Sequence, residues 1–285
     1  MLTYSVLQWF LFFYIYCFLG WIWETLYVSI GTGRWVNRGF MRGPFLPIYG
    51  FGATGMVLLT IPLQGNHMLE FVFGMLGATV MEYFTGVAME NMFHVRYWDY
   101  SKCFCNLKGY ICLKASLCWG VFGILVPTFI HAQVERLVLR IPQSVLEFFV
   151  LILTALIAAD FSESFKEAMD FKEILINLSQ KHEELAKLEQ KVTAVSGFVN
   201  GELKEKSEEG LKKINSTLNA GRQKYQENKE QLLLNVESAI GVGRNAMRRS
   251  YQIIRRNPDM ISERYAQALA DMKEFAKSKK SRKKK

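Results

Sequence analysis

The chain has 285 residues, half of them hydrophobic and 14% aromatic, with a formal net charge of +9. That composition excludes a disordered chain, and its uneven distribution excludes an ordinary soluble domain. Residues 1 to 159 carry nine Lys/Arg and seven Asp/Glu, whereas residues 160 to 285 carry 26 and 19, so a lipid-soluble half precedes a charged one.

Five segments in the first half are apolar over a length suited to a bilayer core, which takes about 20 helical residues. They lie near 5–30, 44–63, 69–89, 113–130 and 142–161. The first has no preceding Lys or Arg and is too long for a signal-peptide core, so it is expected to remain as a helix. The expected architecture is an all-α membrane protein of about five transmembrane helices, followed by a cytosolic helical, partly coiled-coil-like tail. Its expected parts are a membrane domain over 1–161, a helical region over 162–243 and a basic region over 244–285 with a disordered end.

Positive charge sets the expected orientation. Arg34, Arg38 and Arg42 follow the first span, and Arg96, Lys102, Lys108 and Lys114 follow the third, whereas the opposite side has only Arg136 and Arg140. By the positive-inside rule the amino terminus is outside and the tail is cytosolic.

The loop VNRGFMRGPFLPIYG at 36–50 has the chemistry of a turn launching a helix. Gly39 and Gly43 permit unusual backbone angles, and Pro44 or Pro47 suits a first helical turn. It is either a plain positive-inside loop or one whose Arg38 and Arg42 turn inward to meet carboxylates. Glu24 lies about 9 Å from the cytosolic end of the first span, Glu82 about 12 Å from that of the third, and Glu90 at its border. An ionised side chain in hydrocarbon costs several kcal/mol, roughly, and is expected to face protein, water or a partner charge. Pairing among Glu24, Glu82, Glu90, Arg38 and Arg42 follows, as structural ion pairs or as a ligand site.

In the third span Gly74, Ala78, Glu82 and Gly86 recur every four residues, a stripe on which neighbouring helices approach closely. Gly20 and Glu24 share a face of the first span in the same way. Gly50, Gly52 and Gly55 spell G-x-G-x-x-G, but a Pro-containing loop precedes them instead of a strand, which points to helix packing and not to a dinucleotide. The chain also has no P-loop motif, so any ATPase would be a separate protein.

The loop NMFHVRYWDYSKCFCNLKGYICL at 91–113 is expected to fold back on the membrane surface. Trp98, Tyr97 and Tyr100 suit an interface, with Asp99, Ser101 and Asn106 facing the same mouth as the glutamates. Cys103, Cys105 and Cys112 with His94 match no common zinc spacing, so neither a metal nor another cofactor is expected. No nucleophile and base are spaced as a catalytic pair, and an enzyme is not expected.

GWIWE at 20–24, NRGFMRGPFLPIYG at 37–50, EYFTGVAMENMF at 82–93, YWDYS at 97–101, NLKGYICL at 106–113 and SLCWG at 116–120 together resemble the ABC-transporter type IV family of bacterial membrane proteins. The resemblance spans most of residues 1–130 and implies a polytopic, permease-like subunit in the bacterial cell membrane. It highlights Glu24, Arg38, Gly39, Gly43, Pro44, Pro47, Gly50, Glu82, Glu90, Trp98, Asp99, Tyr100, Asn106, Gly109, Ser116 and Trp119. The segment HAQVERLV after the fourth span departs from the family pattern by lacking a His-Pro. A polar pocket of Glu24, Arg38, Arg42, Glu82, Glu90, Trp98, Asp99, Tyr100, Asn106, Ser116 and Trp119 is the resulting expectation.

In the tail, Leu185, Leu188, Val192 and Val195 follow a 3-4-3 step, open to folding within the chain or to self-association. A second helical stretch is expected over about 211–240. Residues 160–243 carry 12 Lys/Arg against 15 Asp/Glu, and residues 244–285 carry 14 against four. Arg248, Arg249, Arg255, Arg256, Lys283, Lys284 and Lys285 therefore form a candidate surface for anionic lipid headgroups. No stacking platform or base-reading motif accompanies them, which argues against nucleic acid. The functional classes left are a permease-like subunit, a membrane scaffold or sensor, and, least supported, an enzyme acting on a lipid-linked substrate.

Overall fold

A computed structural model describes residues 4–63, 65–202, 216–217, 219–228 and 244–282. Among them the chain is helical, with isolated bridges but no strand. Four helices are long and apolar enough to cross a membrane, and a fifth apolar helix is shorter.

The first long helix, α1 (Val6–Thr32), starts on a capping box in which Ser5 and Gln8 satisfy each other's backbone N–H groups. It ends at Gly33, whose left-handed φ of 62° lets the chain turn. Over its 27 residues it is about 40 Å long.

The loop after α1 runs back along it. Val36 N–H donates to Ser29 Oγ at 3.0 Å, Arg38 N–H to Thr25 Oγ1 at 3.3 Å, and Leu46 N–H to the Cys17 carbonyl at 3.1 Å. From Ser29 to Cys17 this return covers about 18 Å of α1. Helix α2 (Pro47–Thr60), with a 3-10 turn at Ile61–Leu63, therefore begins midway along α1, and that is why it is short. The expected span from residue 44 thus starts later and is preceded by a returning loop. Gly39 supplies a φ of 130° within that loop, and Gly43 lets its backbone N–H reach Asp160 Oδ2 at 2.8 Å.

Helix α3 (His67–Phe93) is capped by Asn66 and ends at His94, which has a left-handed φ of 57°. Its buried stripe is Glu70, Gly74, Ala78, Glu82 and Gly86. The next long helix is interrupted: α4 (Leu113–Leu125) passes through a π-helical turn at Val126–His131 into α5 (Ala132–Val138). Pro127 lies in that turn, where its missing N–H removes one ladder bond. α3 and α4 cross with backbone nearly in contact, since a Cβ built on Gly74 would meet Gly123 Cα at 2.5 Å.

Helix α6 (Gln143–Glu202) has 60 residues and unites the fifth expected span with the first helical part of the tail. Exposed apolar side chains such as Phe73 and Val80 on α3, Val121 on α4 and Phe148 and Leu151 on α6 leave a surface suited to lipid. Two further helices are α7 (Arg244–Arg256) and α8 (Ala266–Arg282).

The chain forms two compact units. The first comprises residues 1–169 and 252–264, and the second residues 170–251 and 265–285. In the second unit Phe171, Ile174, Leu175 and Leu178 form the buried stripe of α6, with Met247 of α7 and Leu269 and Met272 of α8 buried as well. Arg249 pairs with Asp170 at 2.8 Å, and His182 with Asp271 at 2.6 Å. Leu185 and Leu188, from the expected seam, are only half-buried, and the side chains of Val192 and Val195 lie outside the described residues. Most of the expected helix at 211–240, and Lys283, Lys284 and Lys285, also lie outside them.

Replacing Gly74 by Val should wedge α3 from α4 and destabilise the protein by about 2 kcal/mol or more. Thermal unfolding of the purified protein in detergent reads this directly, with Ala53→Val, at a half-buried position, as the control.

Candidate functional site: a charged chamber beside two returning loops

The first unit contains a chamber of about 540 Å³. Its polar end is made by Glu24 of α1, Arg38 of the first returning loop, Tyr49 of α2, Glu82 of α3, Tyr100 of the second loop and Trp119 of α4. Its apolar end is lined by Phe84, Met89 and Met92 of α3 and Phe161 and Phe165 of α6.

The loop from 94 to 112 returns along α3 as the first loop returns along α1. Gly86 is the enabling residue, because a Cβ there would come within 2.9 Å of the Tyr110 ring. With the loop against α3, Tyr100 O–H reaches Glu82 at 3.1 Å, and Trp98 Nε1–H closes the loop on the Tyr110 carbonyl at 2.9 Å. Gly20 acts likewise on α1, where a side chain would overlap Tyr49. Tyr49 then places its O–H 2.7 Å from Glu24.

The two carboxylates have different surroundings. Glu24 is 3.7 Å from Arg38 Nε. Glu82 is 4% exposed and accepts from Tyr100 and from Trp119 Nε1–H at 2.9 Å, both neutral donors. Burial, and then the Glu82 charge, push the Tyr100 pKa well above its ordinary value, so the phenol stays a donor. Arg38 is held from behind as well, donating to Asn257 Oδ1 at 2.6 Å and to the Tyr97 carbonyl at 2.7 Å.

Asn257 belongs to the segment 252–264, which is docked on both loops. Its side chain also donates to the Gly39 carbonyl at 3.3 Å. Ile261 and Arg96 exchange backbone hydrogen bonds of 2.8 and 3.0 Å, and Ser262 donates to the His94 carbonyl at 2.6 Å. Ile253, Ile254 and Met260 of the same segment are buried. Arg256, expected to face lipid, instead reaches Glu167 at 3.0 Å, and Arg249 is the partner of Asp170, while Arg248 and Arg255 are exposed.

The structure divides the expected pocket. Glu24, Arg38, Glu82, Trp98, Tyr100 and Trp119 line the chamber. Arg42 does not: it pairs with Glu163 at 3.2 Å and Glu167 at 2.7 Å on α6, and the Glu167 bond holds its pKa above the ordinary value. Glu90 pairs with Arg96 and accepts from Tyr110 O–H. With Asn106 it lines a second, polar cavity of about 690 Å³. Asp99 accepts from Ser101, and Ser116 accepts from Thr79 at 2.9 Å. The pairing expected among five charges is therefore realised only between Glu24 and Arg38.

Several polar residues escaped the sequence reading. Tyr49 and Asn257 carry no local signal, and Glu167 sits in a charged run that reads as a solvated helix. At another place, buried His131 accepts or donates at both ring nitrogens, 2.6 Å from Tyr16 Oη and 3.1 Å from Tyr4 Oη, and Tyr4 O–H donates to Glu135 at 2.6 Å. The π-helical turn that ends at His131 is the one feature that Pro127 could have announced. Among the described residues, no three His, Cys, Asp or Glu side chains are grouped to hold a metal ion.

Arg38→Met strands the Glu24 carboxylate and leaves the Tyr97 carbonyl unpaired, and it should cost about 3 kcal/mol. Adding Glu24→Gln should recover part of that loss, as measured by thermal unfolding in detergent.

One family description, "Putative ABC-transporter type IV", matches residues 11–165. No curated protein and no solved structure matches the chain. The match covers more than half of the 285 residues and every chamber residue named above except Asn257. The chain belongs to this family of ABC-transporter-type membrane proteins, and its four long apolar helices fit that membership.

Proposed function

We propose that the chain is a permease-like transporter subunit whose chamber holds the ligand being moved. One observation carries this reading: two carboxylates and an arginine, drawn from three separate parts of the sequence, converge on one chamber of about 540 Å³ among apolar helices. A purely structural pair would satisfy itself and need no space around it. The volume falls in the range of about 300–1,000 Å³ typical of small-molecule sites.

In this reading the amino terminus is outside and the tail cytosolic, because Arg34, Arg38, Arg42 and the basic residues of the second loop lie at the same side. α2 counts as a fifth span that is completed by the loop returning along α1. The chain has no P-loop sequence, so ATP-driven movement requires a separate ATPase. Arg248 and Arg255, exposed on α7, support a second reading in which the tail contacts anionic lipid or a partner protein and the membrane part is a scaffold.

Accessibility separates the two. Cys17 and Cys112 are buried, so a Thr85→Cys variant with Cys103, Cys105 and Cys118 changed to Ser reports mainly on the chamber wall. A permease exposes Thr85→Cys to a membrane-impermeant maleimide from both faces of sealed vesicles. Labelling from one face only would mean a dead-end cavity and would favour the scaffold.

A further inference from the structure

We propose, resting on the reading of the chamber as a ligand site, that its ligand is an amphipathic organic monocation, with the cationic centre at Glu82 and the apolar body toward α6. The charges lead there first. With Glu24 and Glu82 ionised and Arg38 cationic, the three charged groups of the chamber sum to minus one. Arg38 already has partners in Asn257, the Tyr97 carbonyl and Glu24. Glu82 receives two neutral donors and no protein cation among the described residues. A carboxylate has about four acceptor positions, so it can take a further donor or a bare positive charge. A ligand anion would meet an uncompensated like charge, and a neutral ligand would be accommodated only with the Glu82 carboxyl protonated, whereas a cation balances the ionised form directly.

The walls then decide what kind of cation. Tyr49 and Trp119 stand with ring centroids 5.8 Å apart beside the carboxylates, and Trp98 and Tyr100 line the same end. Aromatic faces attract an organic cation through the ring quadrupole, and they do so best where water is excluded. A hard metal ion would need about six oxygens, which this wall does not offer. Away from Glu82 the lining is Phe and Met, polarizable surface that adapts to an apolar body. Phe84, which is 65% exposed, Met92 and Phe161 form an exposed apolar rim, so a hydrophobic molecule partitioned in lipid reaches the chamber from its side.

The test uses the full chain in lipid nanodiscs with tetraphenylphosphonium as probe and tetraphenylborate as its anionic counterpart of the same shape, each corrected for empty nanodiscs. Saturable phosphonium binding is expected, and borate should bind at least about tenfold more weakly. Glu82→Gln should weaken phosphonium binding by about tenfold or more. Ala88→Trp fills the chamber wall without altering a charge and should do the same, which keeps the test decisive where Glu82→Gln fails to fold. No saturable phosphonium binding, equal binding of the two ions, or phosphonium binding unchanged in a folded Glu82→Gln protein would overturn the cation assignment. Those failures leave the two-sided labelling of Thr85→Cys unaffected. Conversely, one-sided labelling together with charge-selective binding would refute transport while retaining the cation site.

Discussion

The structure depends on satisfying backbone polar groups where two loops return along apolar helices. Where water is excluded an unpaired N–H or C=O costs roughly several kcal/mol, so non-helical backbone packed against apolar helices needs partners from the protein. The first loop meets this requirement by bonding to α1 through Ser29, Thr25 and the Cys17 carbonyl. The second pairs with Ile261 through Arg96 and closes on itself through Tyr100 N–H to the Gly109 carbonyl at 2.9 Å. Small residues pay the steric side of the arrangement: Gly20 admits Tyr49, and Gly86 admits Trp98 and Tyr110. The chamber is a consequence. Two loops take the place of helix at one end of the bundle, and polar side chains can gather there.

The same constraint explains why Arg38 and Arg42, four residues apart in one loop, have different fates. Arg38 is on the inward side, where its guanidinium bonds a carbonyl and an amide and lies near Glu24, an arrangement that uses the planar fork of arginine. Arg42 is partly exposed and bridges to α6, while Asp160 accepts from the Arg42 and Gly43 backbone at 3.2 and 2.8 Å. Arg42 thus fastens the loop to α6, and Arg38 conditions the chamber.

What the sequence made legible was local. The expected spans 5–30 and 69–89 match α1 (Val6–Thr32) and α3 (His67–Phe93) to within a few residues at both ends, because capping and hydropathy act locally, whereas the expected ends at 130 and 161 fall inside helices that continue to Val138 and Glu202. The four-residue stripe on α3 is buried, as its spacing implies, because a single helix face fixes it. The returning path of the loops was not legible: RGFMRGP reads as a turn, and only the packing against Ser29 and Thr25 extends it. Partners chosen across the fold were equally hidden. Arg38 and Asn257 are 219 positions apart, and nothing near Asn257 distinguishes it from a helix-stopping Asn-Pro. Arg42 and Glu90 are expected from the sequence to pair within the set Glu24, Glu82, Glu90, Arg38 and Arg42, but Glu163 and Glu167 of α6 and Arg96, six residues after Glu90, are their partners in space.

The position of Asn257 also changes what the tail is. By composition the chain divides near residue 160, yet the first unit regains residues 252–264 after an excursion of 82 residues, 170–251. A truncation after the last apolar span therefore removes Asn257 from Arg38, Ile261 from Arg96 and Ser262 from the His94 carbonyl, exposing three groups that the loops need. Loss of activity after such a truncation would say nothing about partner recruitment. Only removal of 170–251 and 265–285, with the 252–264 segment rejoined by a linker, isolates the contribution of the second unit. The charged half is in this sense not an appendage: 13 of its residues complete the loops that bound the chamber.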